Sequence, residues 1–509
     1  MSRASGILMH ISSLPEDYGI GTFGEEAYRF ADFLKASGQS YWQILPLGHT
    51  GYGDSPYQAF SAYAGNPYFV DFKLLEQEGL LKREEFEDVE FGTNEEETDY
   101  GKLFERRFQV LAIAYHRSKK ICQEEQQAGV EKDSGQDSLQ SEIESFRKEN
   151  AFWLEDYAMY MAVKSEMGLR SWQEWDEGIK VRDEGALEAY KEALKEEINF
   201  WIFVQYMFFK QWRALKAYVN HLGIKIIGDI PIYVSIDSAD TWANAELFKL
   251  DAYKNPTVVA GCPPDAFSDT GQLWGNPIYD WEYLEQTGYK WWTDRIRESF
   301  KLYDVVRIDH FRGFEAYWEI PFGEDTAQNG KWVKGPGMKL FEAIKQELGE
   351  VAIIAEDLGY LTQKVIAFKN ETGYPGMKVL QFAFSTGEES SYLPHNYDKN
   401  CVVYTGTHDN DTTMGWIEAT GNKDEVGHAK QYLKLDADEG CNWGIIRGAW
   451  SSTAHTAIAP MQDFLGLGNE ARMNIPATLG GNWKWRMKKE ALTEALHQKI
   501  NELTKLYKR

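Results

Sequence analysis

Three short stretches decide the fold: DVVRID at residues 304–309, IIAED at residues 353–357 and VVYTGTHDN at residues 402–410. Each is an apolar, β-type run that ends abruptly in an acid: Asp309, Glu356 and Asp409. Continuously apolar runs of this kind are typical of parallel strands covered on both faces. In a barrel, the carboxyl ends of parallel strands converge on one mouth, where active sites form. The pattern therefore predicts three carboxylates gathered at one site.

Further runs of the same type extend this pattern to eight predicted strands. They lie at residues 6–9, 41–47, 225–230, 304–308, 351–355, 378–384, 402–405 and, more weakly, 456–460. Many are followed by helical periodicity, and strands that alternate with helices favour an α/β fold. Eight such strands favour a (β/α)8 TIM barrel over an open sheet. The length of 509 residues agrees with this, because such barrels exceed about 400 residues when their loops carry insertions.

The uneven spacing of the strands predicts large insertions after the second and third of them. Residues of about 60–222 are expected to form a mostly helical insertion subdomain. Residues of about 231–292, rich in Gly, Pro and aromatic side chains, are expected to form a loop insertion subdomain that covers the mouth of the active site. The whole chain, residues 1–509, is otherwise interpreted as a single catalytic barrel.

Composition excludes several classes of function. The formal net charge of −25 repels phosphate backbones and anionic lipids, so neither nucleic acid nor a membrane is an expected partner. The four cysteines are scattered, without CxxC pairs, and the first residues do not resemble a signal peptide. A reducing, cytoplasmic location is therefore predicted. No histidine cluster has metal-ligand spacing, so no metal is expected. The sequence does not indicate the oligomeric state.

The residues around the three acids indicate a particular chemistry. Arg307 lies two residues before Asp309, on the same face of the strand, and would keep that carboxylate charged as a nucleophile requires. A buried structural ion pair is the alternative interpretation. His310 and His408 flank the acids and could donate to sugar hydroxyls. A carboxylate nucleophile beside a carboxylic acid is the apparatus of retaining glycoside chemistry.

A set of motifs in a fixed order makes this interpretation more specific. They are GYGDSPYQ (51–58), GDIPIYV (228–234), GCPPDAFSDTGQLWGNPIYDW (261–281), RIDHFRGF (307–314), AEDLG (355–359), THDND (407–411) and RMNIPATLGGNWKWR (472–486). In this order they resemble the amylomaltases, or 4-α-glucanotransferases, which include the plant disproportionating enzymes. The resemblance spans essentially the whole chain. It implies a retaining (β/α)8 barrel of the α-amylase clan that needs no metal or organic cofactor.

The resemblance also implies a role for individual residues. Asp309 would be the nucleophile, Glu356 the general acid and base, and Asp409 the residue that binds the 2- and 3-hydroxyls of the donor sugar. Other residues would line the substrate site: Tyr57, Asp229, Arg307 and His408 on the donor side, Asp265 and Trp274 on the acceptor side, and Asn474. Tyr52 would belong to a second glucan groove outside the active site. Ala266 departs from the aromatic residue of some relatives that helps to curve long glucans, which leaves large-ring cyclisation unassigned.

The predicted function is transfer of segments of 1,4-α-glucans, such as maltodextrins, to the 4-hydroxyl of an acceptor glucose or glucan. The route would be retaining double displacement through a covalent glucosyl-Asp intermediate. Two alternatives stay open. The first is an α-1,4-glucan hydrolase of the same clan, which shares the intermediate and passes it to water. The second is a non-catalytic glucan-binding protein, although such a protein would have no need to keep all three acids and Arg307.

Overall fold

The structure, a computed structural model, describes residues 3–127, 138–264, 268–359, 361–385, 390–419, 421 and 423–509. The strands within these residues are β1 (Ala4–Leu8), β2 (Tyr41–Gln43), β3 (Lys225–Pro231), β4 (Val258–Cys262), β5 (Gln272–Pro277), β6 (Val305–Asp309), β7 (Ala316–Pro321), β8 (Lys331–Lys334), β9 (Ile353–Ala355), β10 (Gly376–Val379), β11 (Cys401–Tyr404) and β12 (Thr456–Pro460).

Eight parallel strands among the described residues form the barrel, in the order β10-β11-β12-β1-β2-β3-β6-β9. Its first and last strands along the chain are neighbours, because β1 pairs with both β2 and β12. The ring closes between β9 and β10, where the Ala355 amide donates to the Pro375 carbonyl at 2.9 Å. Each of the eight predicted runs overlaps one of these strands, so the prediction of a (β/α)8 barrel is confirmed.

Two predicted strands are wrong over most of their length. The run at residues 41–47 is a strand only over Tyr41–Gln43. Residues 378–384 were predicted to be extended, but the strand ends at Val379 and Leu380–Phe384 form a 3-10 helix. The turn still buries Leu380, Ala383 and Phe384, whereas Phe382 is exposed. The Gln381 side chain donates to the Asp411 carbonyl at 2.9 Å, which joins this turn to the loop after β11. An apolar run shows burial, but it does not distinguish a strand from a tight helical turn.

The helices surround the barrel. Their bounds are α1 (Glu25–Ala36), α2 (Phe72–Gln77), α3 (Tyr100–Gln127), α4 (Leu139–Glu149), α5 (Ala151–Glu166), α6 (Glu177–Lys180), α7 (Glu184–Ala193), α8 (Lys195–His221), α9 (Ala239–Ala243), α10 (Trp281–Gln286), α11 (Lys290–Leu302), α12 (Met338–Leu348), α13 (Gln363–Thr372), α14 (Thr413–Glu418), α15 (Lys423–Leu433), α16 (Cys441–Ser451), α17 (Met461–Leu465) and α18 (Glu494–Leu506). No helix in the described part of the chain is long and apolar enough to cross a membrane.

The long helix α8 connects the segment after β2 to the barrel. Its second half packs beside the barrel helices, with Trp212 donating to the Leu302 carbonyl at 3.1 Å and the Tyr218 ring tilted against Tyr28 at 5.0 Å. Its first half packs instead on α5 and α3, as in the contact of Trp201 with Phe108. Helices α2 to α7 therefore rest on the barrel through one continuous hydrophobic core.

A second, antiparallel sheet lies beside the barrel, in the order β5-β4-β7-β8. Strands β4 and β5 come from the segment predicted as a loop insertion. The hairpin of β7 and β8 follows β6 and adds an insertion that the sequence did not predict. AYWEIP is interrupted by Glu319 and KWVK holds only two apolar residues, so these strands lack the continuous apolar run by which most barrel strands were recognised.

Candidate active site

The carboxyl ends of neighbouring barrel strands bring the predicted acids together. Asp229 lies in β3, Asp309 is the last residue of β6, and Glu356 follows β9 directly. The strand register places Asp229 opposite Arg307 and Ile308 opposite Ala355. The parallel pairing therefore sets the height of each acid at the mouth of the barrel.

Arg307 is the electrostatic centre of the site. Its buried guanidinium contacts Asp229 Oδ2 at 2.6 Å through Nη1 and Asp309 Oδ1 at 2.9 Å through Nη2. Its Nε–H points at the Met377 sulfur, 3.3 Å away. Burial raises the pKa of Asp229 to about 6, against the opposing charge of Arg307. Tyr57 also donates its hydroxyl to Asp229 Oδ2 at 2.9 Å.

Glu356 is buried beside the charge of Asp309. Its two carboxylate oxygens accept backbone hydrogen bonds from His310 and Leu358, each at 2.7 Å. His310 adopts a left-handed conformation, with φ of 51°, at the turn that brings its amide to Glu356. Burial, followed by the negative charge of Asp309, raises the pKa of Glu356 to about 7, although Arg307 and both amides oppose this shift. At neutral pH Glu356 can therefore hold a proton and release it.

The surroundings of Asp409 favour its charged form, in contrast to those of Glu356. Two partners fix its carboxylate oxygens. His408 Nε2 approaches Asp409 Oδ2 at 3.2 Å, and the Asn474 amide donates to Oδ1 at 2.6 Å. Burial alone would raise the pKa of Asp409, but the charge and hydrogen bond of His408, with Asn474, lower it to about 2. Asp409 is therefore a permanent carboxylate, and its charge raises the pKa of His408 despite burial.

Aromatic rings form one wall of the site. The Tyr57 ring stacks on His408 with centroids 5.2 Å apart and an interplanar angle of 17°. Trp483 packs against both rings, at 5.9 Å from Tyr57 and 5.8 Å from His408. On another side, Trp274 of β5 contacts the His310 ring edge-on at 4.8 Å.

Two residues that support this wall were not singled out from the sequence. Trp483 fixes the aromatic stack, and Arg472 donates to the carbonyls of Asp409 and Asn474 at 2.7 and 2.8 Å. Both lie in the motif at residues 472–486, from which only Asn474 was selected. The tryptophan and arginine content of that motif was the available signal.

The remaining predicted residues lie either away from this cluster or outside the residues that the structure describes. Tyr52 is on the surface with its side chain 94% exposed. Asp265 and Ala266 lie outside the described residues. Among the residues that the structure does describe, no group of three His, Cys, Asp or Glu side chains is arranged to hold a metal ion. The expected independence from cofactors stays a prediction.

Comparison with known proteins connects this geometry to a family. A family model described as 4-alpha-glucanotransferase matches residues 9–493. The chain belongs to the 4-alpha-glucanotransferase family. One relative in this family, from Clostridium butyricum, is 56% identical over 502 residues, which cover 98% of this chain and 100% of that protein. Another, from Thermus thermophilus, is 48% identical over 495 residues, which cover 96% and 95%.

A solved structure supports the same assignment. The amylomaltase from Streptococcus agalactiae in complex with acarbose matches with a TM-score of 0.94 and 45% identity, covering 100% of this chain and 99% of that one. The resemblance drawn from the ordered motifs and the predicted enzyme class, 4-alpha-glucanotransferase, are thereby confirmed. The role of each site residue stays a prediction.

Proposed function

We propose that this 4-alpha-glucanotransferase moves segments of 1,4-α-glucans to the 4-hydroxyl of an acceptor glucose or glucan by retaining double displacement. Asp309 is the nucleophile and Glu356 the general acid and base. The observation that carries this assignment is the contrast between the two carboxylates at the β6 and β9 ends. Asp309 pairs with a guanidinium, whereas Glu356 is buried with its pKa raised to about 7.

The reaction proceeds in two balanced steps. An oxygen of Asp309 attacks the anomeric carbon, the glycosidic bond breaks, and the departing 4-oxygen takes the proton of Glu356. The product of this step is a glucosyl ester of Asp309. The acceptor 4-hydroxyl then gives its proton to the Glu356 carboxylate while its oxygen attacks the same carbon, and Asp309 leaves as a carboxylate.

The residues around these two acids hold the donor sugar. Asp409 is charged at every relevant pH and accepts hydrogen bonds from the sugar 2- and 3-hydroxyls, with Asn474 and His408 fixing its orientation. Asp229 is fully buried, so it supports the donor side indirectly by holding the Arg307 guanidinium and the Tyr57 hydroxyl. Tyr57 offers a ring face, while Trp274, Asp265 and the Tyr52 groove serve the acceptor and the more distant chain.

Maltotriose separates this proposal from its alternatives. Transfer from maltotriose gives glucose together with a ladder of oligosaccharides longer than the starting material. The relatives are named as transferases, which favours this outcome. Clean conversion to glucose and maltose, with nothing longer, identifies a hydrolase instead. Binding of maltotriose without any product identifies a non-catalytic glucan-binding protein.

A further inference from the structure

The antiparallel sheet carries an open aromatic surface on one of its faces. Directly paired residues of antiparallel strands point to the same face. Leu273 of β5 pairs with Gly261 of β4, Gly261 pairs with Trp318 of β7, and Trp318 pairs with Trp332 of β8. We call this row of four residues the tryptophan face. It is not closed by packing, since the Leu273 and Trp332 side chains are 39% and 42% exposed.

The indole of Trp332 is held rigidly. The Arg312 guanidinium carbon lies 4.1 Å from its ring centroid, and the Trp318 ring contacts it edge-on at 5.3 Å. Trp318 is itself fixed, because its indole N–H donates to the Ala327 carbonyl at 2.8 Å. A rigid, half-open aromatic ring binds a ligand at a small cost in side-chain entropy. Trp332 is therefore built as a platform.

This platform adjoins the loop behind the proposed nucleophile. Arg312 follows Asp309 by three residues, in the 3-10 helix Phe311–Phe314. The β7–β8 hairpin is tied to this loop, since the amides of Gly335 and Gly337 donate to the carbonyls of Glu315 and Phe314 at 2.8 and 2.9 Å. The Arg312 side chain thus connects the loop after Asp309 to the tryptophan face.

We propose that the tryptophan face binds a 1,4-α-glucan segment beyond the glucose units that react. This rests on the proposed function, which supplies a polymeric substrate longer than the cluster of acids. Exposed aromatic faces pack against the C–H faces of sugars, and the net charge of −25 favours a neutral ligand over an anionic one. The Arg312 cation lies against the Trp332 indole at 4.1 Å and is therefore part of the platform.

Calorimetry on a Glu356→Gln background tests the proposal without turnover. The titrants are maltotriose and a long linear maltodextrin. Adding Trp332→Ala is expected to weaken binding of the long maltodextrin roughly fivefold to tenfold, as for a central aromatic contact. The loss for maltotriose is expected to be much smaller, and Trp332→Phe is expected to recover most of the affinity. The matched control is Phe104→Ala, which removes a 51% exposed ring from α3 and is expected to change neither affinity.

The other outcomes contradict the proposal in distinguishable ways. An equal loss for both ligands would mean that Trp332 acts on the reacting subsites through Arg312. If Trp332→Ala does not weaken binding of the long maltodextrin, or if Phe104→Ala weakens it equally, then Trp332 is not a glucan-binding residue. Conversion of a dimer to a monomer by Trp332→Ala in sedimentation, with unchanged glucan affinity, would make this face a contact between two copies. Failure of the Glu356→Gln protein itself to bind either glucan would overturn the proposed function, and this inference with it.

Discussion

At the residue scale, the proton on Glu356 gives a pH dependence with a definite sign. The pKa of this carboxyl is raised to about 7, so it is protonated below that pH and able to act as the acid. We expect kcat/KM for maltotriose, which reports the free enzyme, to fall as the pH rises through about 7. An ordinary glutamate would produce this fall near 4.5, and a profile of that form would contradict the assignment.

The division of roles between Glu356 and Asp309 is testable by trapping. Glu356→Gln removes the acid and base, so transfer from maltotriose should slow by about 10²–10⁴. The fluoride of α-maltosyl fluoride leaves with little protonation, so this substrate should still react with Asp309. The second step lacks its base and should stall. Mass spectrometry after an acid quench should find a maltosyl ester on the peptide with RIDHFR, and none in Asp309→Asn. A label on another carboxylate would refute the roles.

At the scale of elements, the packing of β3 fixes the position of Asp229. A Cβ added at Gly228 would lie 2.1 Å from the Tyr303 ring, behind the strand. We expect Gly228→Ala to lower the free energy of unfolding by about 1–3 kcal/mol, because the core cannot accept the methyl group without moving the strand. Urea denaturation measures this. Gly427→Ala in α15 is the control: its Cβ meets nothing within 4 Å, so a gain of about 0.5–1 kcal/mol is expected.

At the scale of the whole molecule, Arg509 links the first and last barrel strands at the end opposite the acids. Its guanidinium donates to the carbonyls of Ala4 and His455 at 3.1 and 3.2 Å, just before or within the starts of β1 and β12. Arg509→Ala should lower the free energy of unfolding by about 1–3 kcal/mol, because these half-buried carbonyls lose a charged donor. Transfer from maltotriose should stay close to the native rate below the unfolding temperature. Lys505→Ala, an exposed change on α18, should alter neither, whereas an unchanged stability in Arg509→Ala would contradict this.

The sequence by itself determined the barrel, the family and the three acids. The apolar runs are typical of parallel strands buried on both faces. Where such a run ends in an acid, the acid lies at the carboxyl end of the strand, and these ends meet at the mouth of the barrel. The motifs around Asp309, Glu356 and Asp409 are local strings, so they could be recognised without coordinates.

Only the tertiary structure decided how these residues act on one another. The hydrogen bond from the His310 amide to Glu356, the bridge from Arg307 to Asp229, and the packing of Trp483 against Tyr57 and His408 join residues distant in sequence. The pKa of about 7 for Glu356 depends on burial and on a neighbouring charge, neither of which is visible in a string. The β7–β8 hairpin was missed for the same physical reason: β7 pairs with β4, a strand from another insertion, and this long-range pairing is not visible in the local sequence.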